Sequence, residues 1–284
     1  MTISDAGTYL EFIALGFGVG AYGTLIGAGG GFVLMPILLL LNPDEKPDKL
    51  TAISLAVVFL NALSGSEAYA RMRRIDYKSG LLFGLATIPG ALLGALNTSL
   101  VPRRLFDGLI AVLLVAGAVF LAFKPNLARE TRQDHPGPPG HGQVSRHMVE
   151  ANGQAYDYSY NPKVGVGLSL AVGYISSFLG IGGGVIHVPA LAYLLDFPVH
   201  IATATSHFIL VVMAFTGTMV HIFTGTFSNG VHHMISLSIG VVAGAQVGAA
   251  LSNRLKSVWI IKSLALALGL VGLRIIVVVL KGGS

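Results

Sequence analysis

Residues 27–36 read Gly27-Ala-Gly-Gly-Gly31-Phe-Val-Leu-Met-Pro36, and residues 180–189 read Gly180-Ile-Gly-Gly-Gly184-Val-Ile-His-Val-Pro189, the same pattern displaced by 153 positions. Neither stretch suits a continuous helix, because each interior glycine costs about 1 kcal/mol relative to alanine. The pattern predicts one helix break in each half of the chain. The likeness extends outward from the two motifs. Thr51-Ala-Ile-Ser54 aligns with Thr203-Ala-Thr-Ser206 at an offset of 152, Gly65 with Gly217 at the same offset, and Gly90-Ala-Leu-Leu-Gly94-Ala with Gly244-Ala-Gln-Val-Gly248-Ala at 154. Four blocks in one order at nearly one offset identify an internal duplication, the usual construction of secondary transporters.

The surroundings of these motifs belong in lipid. The 284 residues are 53% hydrophobic and 11% charged, with a mean hydropathy of +0.73. A soluble domain carries roughly 25% charged residues, so this chain lacks the polar surface to coat a globule. It has no cysteine, which excludes a disulfide scaffold, a thiolate zinc site and cysteine catalysis. The net charge of +5 comes from Lys and Arg that mostly flank apolar runs, where membrane orientation needs them, and not from a nucleic-acid surface.

Eight runs approach the ~20 residues that a membrane-crossing helix requires. They are 9–27, 50–70, 79–99 and 105–123, then 163–180, 201–224, 230–252 and 258–281. Two shorter apolar runs, 32–41 and 185–197, follow the glycines. The fold class expected is an all-α polytopic membrane protein of about eight transmembrane helices plus two short helices after the breaks. Residues 1–12 hold Asp5 and Glu11 and no Lys or Arg, so the first run reads as a retained span and not as a cleaved leader. The domains expected are a first transmembrane repeat at 1–123, a mobile extramembrane linker at 124–162 and a second repeat at 163–284. The linker is rich in proline and carries His135, His141 and His147, whose spacing in such a tract has no fixed metal geometry. Placing the basic residues on one side scores inverted and parallel repeats almost equally. Inverted repeats are expected because they bring the two broken helices together near the midplane.

Most of the glycine has a packing use. Gly16, Gly20, Gly23 and Gly27 fall on one helical face, and Ser169, Gly173, Ser177 and Gly180 nearly repeat the spacing. Small residues there, and at Gly90/Gly94 and Gly244/Gly248, let helix backbones approach closely. The breaks themselves carry the chemistry. A helix that breaks at membrane depth must face protein or a water-filled cavity. Where it restarts, its first N–H groups lack acceptors and sit at the positive end of the dipole, which suits an anion. Pro36 and Pro189 are expected in the first turn of each restart, where a missing N–H costs nothing.

Only Glu67 among the acidic residues lies clearly inside a span, four positions before Arg71, so an ion pair accounts for it. A proton or cation pump keeps carboxylates at the membrane centre, and this chain does not. The substrate-binding set expected is therefore Gly29, Gly30, Gly31, Gly182, Gly183 and Gly184, completed by Thr51, Ser54, Thr203, Ser206 and His207. Each hydroxyl also has a plain alternative, a bond to its own helix. His187 and His207 stand where the other repeat has Leu34 and Leu55, and are candidates for proton coupling or for ordinary buried histidines. Asn61, Tyr22 and Gln246 are weaker candidates, and Arg103/Arg104 or Arg254/Lys256 candidates for an anion entrance. No metal site and no cofactor are expected. There is no phosphate loop, zinc H-E-x-x-H or G-x-S-x-G elbow, so no enzyme is expected.

The glycine motif with its trailing proline, once per half, followed by a Thr/Ser-bearing helix, resembles the TauE/SafE sulfite exporter family, also called the toluene-sulfonate uptake permeases. The resemblance covers roughly 9–123 and 163–281 and rests on Gly27, Gly29, Gly30, Gly31 and Pro36, and on Gly180, Gly182, Gly183, Gly184 and Pro189. It implies a permease of the prokaryotic plasma (inner) membrane for sulfur-containing anions such as sulfite, sulfoacetate or other organosulfonates. The competing reading is a cation-coupled symporter or channel for another small solute. Expected partners are a small anionic substrate and the lipid bilayer, with a homodimer as an open option and no nucleic acid.

Overall fold

The computed structural model describes residues 3–123, 142–227, 231–252, 254–255 and 257–280. Among them, ten α-helices and one β-hairpin follow an order that repeats. The first half holds α1 (Ile3–Leu25), α2 (Gly31–Leu41), α3 (Pro47–Arg71), α4 (Tyr77–Asn97) and α5 (Arg103–Phe123). The second holds α6 (Pro162–Leu179), α7 (Gly184–Leu194), α8 (Val199–Phe223), α9 (Val231–Ser252) and α10 (Ser257–Leu280), preceded by β1 (Val144–Val149) and β2 (Ala155–Tyr160). Counterparts agree in length: α2 and α7 have 11 residues each, α3 and α8 25 each. Several starts are written locally. Pro47 and Pro162 open α3 and α6, Asn161 caps α6 by accepting from the Lys163 N–H at 3.0 Å, and Asp76 caps α4 from Ser79 at 3.1 Å.

Glycine contacts set the helix directions. A side chain on Gly16, Gly20 or Gly248 would run into the backbone of Leu237, Val241 or Ala21, so α1 and α9 lie parallel and in close contact. Gly90 and Gly94 meet Leu170, Tyr174 and Phe178 in the same way, which makes α4 parallel to α6. In contrast, Gly65 faces His207 while Gly217 faces Leu55, so α3 and α8 are antiparallel. Gly117 near Leu268 and Gly272 near Val115 make α5 and α10 antiparallel as well. Gly31 packs on Val58, midway along α3. The 11 residues of α2, about 16 Å of helix, thus lead from mid-bundle to the end where α3 begins.

Seven helices among the described residues have the length and hydropathy of a span: α3 to α6, α8, and most of α9 and α10. The remaining expected run, 9–27, falls in α1. That helix is 23 residues long, but Glu11 and its glycines dilute its apolar character. Glu67 pairs with Arg71 as the spacing required, and also accepts from Gln246 at 3.2 Å.

Two expectations need correction. Pro36 and Pro189 lie inside α2 and α7, past the first turn, because each helix restarts directly at the last glycine of its motif. Within 124–162, the described part forms the antiparallel hairpin, with Val144 opposite Tyr160 and Val149 opposite Ala155. His147 sits on β1 and pairs with Asp157 across the strands at 2.7 Å; His135, His141 and Lys256 lie outside the described residues. The hairpin had a sequence signal. Tyr156, Tyr158 and Tyr160 alternate and are all buried, and Asn152-Gly153 forms the turn, with Gly153 at φ 87°.

The glycine packing predicts sharply different substitution effects. Gly90→Leu or Gly244→Leu drives a side chain into the facing backbone and should cost about 3 kcal/mol or more, read as a lowered melting temperature in detergent. Gly167→Ala in α6 meets nothing within 4 Å and should leave stability unchanged or raise it by about 0.5–1 kcal/mol.

Candidate functional site

The first break closes α1 with three backbone bonds: Gly27 N–H to Thr24 O at 2.9 Å, and Ala28 and Gly29 N–H to Gly23 O at 2.8 and 3.1 Å. Gly27, Gly29 and Gly30 have φ of 76°, 73° and 79°, a left-handed path that strains any side-chain-bearing residue. The second break repeats the device with Gly180 at 65° and Gly182 at 76°. Its Gly183 is right-handed at −66° and accepts from the Ile186 and His187 N–H groups as α7 begins.

Each break is held by the other repeat. Ser54 of α3 donates to Gly180 O at 2.5 Å, and Ser206 of α8 donates to Gly27 O at 3.3 Å. Thr51 lies against Gly180 and Thr203 against Gly27. The expected hydroxyls therefore do converge on the breaks, and the two serines are engaged with carbonyls left over where the helices stop. The breaks also touch one another, since Gly31 packs on the Ile181 backbone and Gly184 on Gly27 and Ala28. Val58 and Leu210, equivalent positions of the two repeats, cover both turns at Gly29 and Gly182. Sequence reading passed over this apolar pair because one more Val or Leu in a span carries no signal.

Polar groups then gather on one side of the first break. Thr24 Oγ1 donates to Asn61 Oδ1 at 3.2 Å and lies 3.2 Å from His207 Nε2, while Tyr69 Oη donates to Thr24 O at 2.7 Å. If Thr24 gives its proton to Asn61, His207 Nε2 must be the donor to Thr24, which leaves Nδ1 as an acceptor. Gly65 is small because His207 occupies the space beside it. At the second break, His187 Nε2 pairs with Ser169 Oγ at 3.2 Å, and its Nδ1 faces Gly183 beside the Met213 sulfur.

All of these side chains are buried, and several keep an unpartnered polar atom: Thr51 and Thr203 Oγ1, Asn61 Nδ2, and His187 and His207 Nδ1. Leaving a buried polar group unpaired costs about 1–3 kcal/mol, so such a concentration marks a place where a polar ligand would be stabilising. Other candidates have structural roles. Tyr22 donates to Ser263 O at 2.7 Å, and Gln246 binds Ser64 and Glu67. Arg103 binds Asp107 and the carbonyls of Leu39, Asn42 and Glu45, so it caps the end of α2 and is not a free entrance cation.

A duplicated bundle of apolar helices, with two buried breaks and polar atoms in want of partners, is the architecture of a multi-pass membrane transporter. A sequence profile of the family described as Sulfite exporter TauE/SafE matches residues 12–275, and the chain belongs to that family. It is 31% identical over 277 residues to the probable membrane transporter protein YunE of Bacillus subtilis, covering 95% of this chain and 97% of the relative. It is 26% identical to the probable membrane transporter protein YdhB of the same bacterium (93% and 96% covered). It is 27% identical to the probable membrane transporter protein MJ0441 of Methanocaldococcus jannaschii (68% and 65% covered). No solved structure matches the chain.

The bracing hydroxyls and the unpartnered ones should separate in stability. Ser54→Ala orphans Gly180 O and should cost about 1–2 kcal/mol, with Ser206→Ala, at its longer distance, costing less. Thr51→Val and Thr203→Val, nearly isosteric and losing no bond, should melt at or above the wild-type temperature in the same detergent.

Proposed function

We propose that the protein is a secondary transporter for a small sulfur oxyanion, such as sulfite, sulfoacetate or another organosulfonate, working by alternating access. In this reading the anion binds where the two breaks meet, through the backbone N–H groups of Gly30 and Gly31 and of Gly182 to Gly184 at the heads of α2 and α7, the Gly29 N–H being already given to Gly23 O. Thr51, Thr203 and Asn61 supply further donors. The observation that carries the reading is the meeting of two helix starts at mid-bundle beside unpartnered buried polar atoms. Two positive dipole ends pointing inward, with no carboxylate between them, favour an anion. The buried carboxylates among the described residues, Asp76 and Glu150, are both paired near the end of α3, which counts against a cation-coupling site at the centre.

The breaks are in contact, so this conformation is an occluded one, and substrate access requires them to part. Inverted repeats suit such a cycle, and the antiparallel pairing of α3 with α8 supports them. The end carrying Arg71, Arg73, Arg74, Lys78 and Arg146 is then the cytoplasmic one. His187 and His207 are the groups able to carry a coupled proton, each through its unpartnered Nδ1.

The test is uptake of radiolabelled sulfite, and of a sulfonate, into proteoliposomes. Gly183→Ala is the informative variant, because its φ tolerates a side chain and the atoms nearest the methyl are side-chain ones, the Met213 sulfur at 3.0 Å, His187 Nδ1 at 3.1 Å and Met213 Cε at 3.4 Å. The protein should fold normally and lose uptake at least tenfold. Normal uptake would remove the breaks as the site, and absence of uptake for every sulfur anion would remove the substrate class. If the histidines carry the proton, His187→Gln or His207→Gln should abolish sulfite-driven pH change in the lumen.

A further inference from the structure

The β-hairpin joins segments of both repeats at one end of the bundle. Asp76, in the turn between α3 and α4, is buried and accepts from Tyr158 Oη at 2.9 Å and Arg146 Nε at 3.3 Å on the hairpin. Its own N–H donates to Thr205 Oγ1 on α8 at 3.1 Å. Tyr160 Oη meets Ser79 Oγ of α4 at 2.5 Å. A second tie lies at the hairpin turn: Arg74 binds Glu150 at 2.9 Å and Ser252 of α9 at 3.3 Å, and Ala151 N–H donates to Met72 O at 3.0 Å. Between the ties, Tyr158 and Tyr160 pack on Phe197, ahead of α8, with ring centroids 4.6 and 5.0 Å away. Burial, and then the charge of Asp76, push the Tyr158 phenol upward, so it stays protonated and able to donate.

Beside the tied α3–α4 turn lie the small apolar residues Ala68, Ala204 and Ala249 with Ile75 and Tyr69. Tyr69 leads on to Thr24, Asn61 and His207 at the first break. The equivalent positions toward the opposite end are His221, Ser177, Met213 and Leu55, and there the Ser177 hydroxyl and His221 Nε2 have no hydrogen-bond partner among the described residues. A cavity of about 470 Å³ opens under the hairpin turn, lined by Ala68, Met72, Arg74, Glu150, Asn152 and Gln246. Its two arginines, Arg71 and Arg74, are already paired with Glu67 and Glu150, so the cavity is not an anion site.

We propose that the hairpin is a clasp that keeps this end of the transport path shut, its latches being Asp76 with Arg146 and Tyr158, and Arg74 with Glu150. The proposal rests on the transporter reading above and adds the device that gates one side of it. Opening this end would part the α3–α4 turn of one repeat from α8 and α9 of the other, and every tie named above crosses that seam or braces it.

The absence of native cysteine makes the test clean. Ala204→Cys places a thiol in the buried cluster beside the tied α3–α4 turn, next to Thr205, which accepts from the Asp76 N–H. In the full-length protein in liposomes, this thiol should react slowly with a membrane-impermeant maleimide, and at least tenfold faster when Tyr158→Phe and Glu150→Gln cut the latches. Arg146→Gln, on a side chain 22% exposed, gives a milder cut should the double change fail to fold. Separately, Met72→Cys with Ala151→Cys should form a disulfide that stops sulfite transport at least tenfold and releases it on reduction. Labelling of Ala204→Cys unaffected by the latch variants, or equal sulfite transport in the oxidised and reduced forms, overturns the clasp. If neither form moves sulfite, the substrate reading fails instead, and the labelling result still decides the clasp.

Discussion

Two hydrogen bonds between repeats, Ser54 to the Gly180 carbonyl and Ser206 to the Gly27 carbonyl, hold the structure's least favourable feature in place. A helix interrupted in the middle of a membrane exposes carbonyl and N–H groups that lipid cannot satisfy. Here the long helix of each repeat supplies a hydroxyl to the break of the other. Neither half can therefore meet its own backbone requirements alone, and the duplication becomes a mutual dependence and not a mere resemblance.

The same exchange places the proposed site. With the two carbonyls held, the breaks pack backbone to backbone and leave their helix starts facing the middle of the bundle. The glycines serve two ends that compete elsewhere in the chain. In α1, α4 and α9 they let helices touch, while at the breaks they let the chain turn through left-handed conformations. Asymmetry enters around this symmetric centre. His207 and Asn61 join Thr24 at the first break, whereas the matching positions of the other repeat are the apolar Leu55 and Met213, with Ser177 in place of Thr24. A transporter that opens alternately to two sides needs its two halves equivalent in shape; their chemistry is free to differ.

Much of the architecture was legible before any coordinates. The breaks, the short helices after them, the repeat and the packing use of Gly90, Gly94, Gly244 and Gly248 all follow from local backbone rules that a sequence carries on its face. The misreadings have two causes, one local and one tertiary. Pro36 was placed at a helix start because proline tolerates it there; in fact Gly31 itself begins the helix. The tyrosine-rich stretch before α6 looked like linker because its alternation has meaning only against Phe83 and Phe197, which come from distant parts of the chain.

Sequence alone determined that this chain lives in lipid, that it is built twice over, and that it breaks a helix once in each copy. Those properties depend on composition and on the conformational cost of glycine, which are local. Tertiary structure alone decided that Ser54 and Ser206 brace carbonyls while Thr51 and Thr203 keep free hydroxyls, although all four sit in matching sequence positions. A hydroxyl's role is set by what lies within about 3 Å of it, and here that neighbour comes from the other half of the molecule.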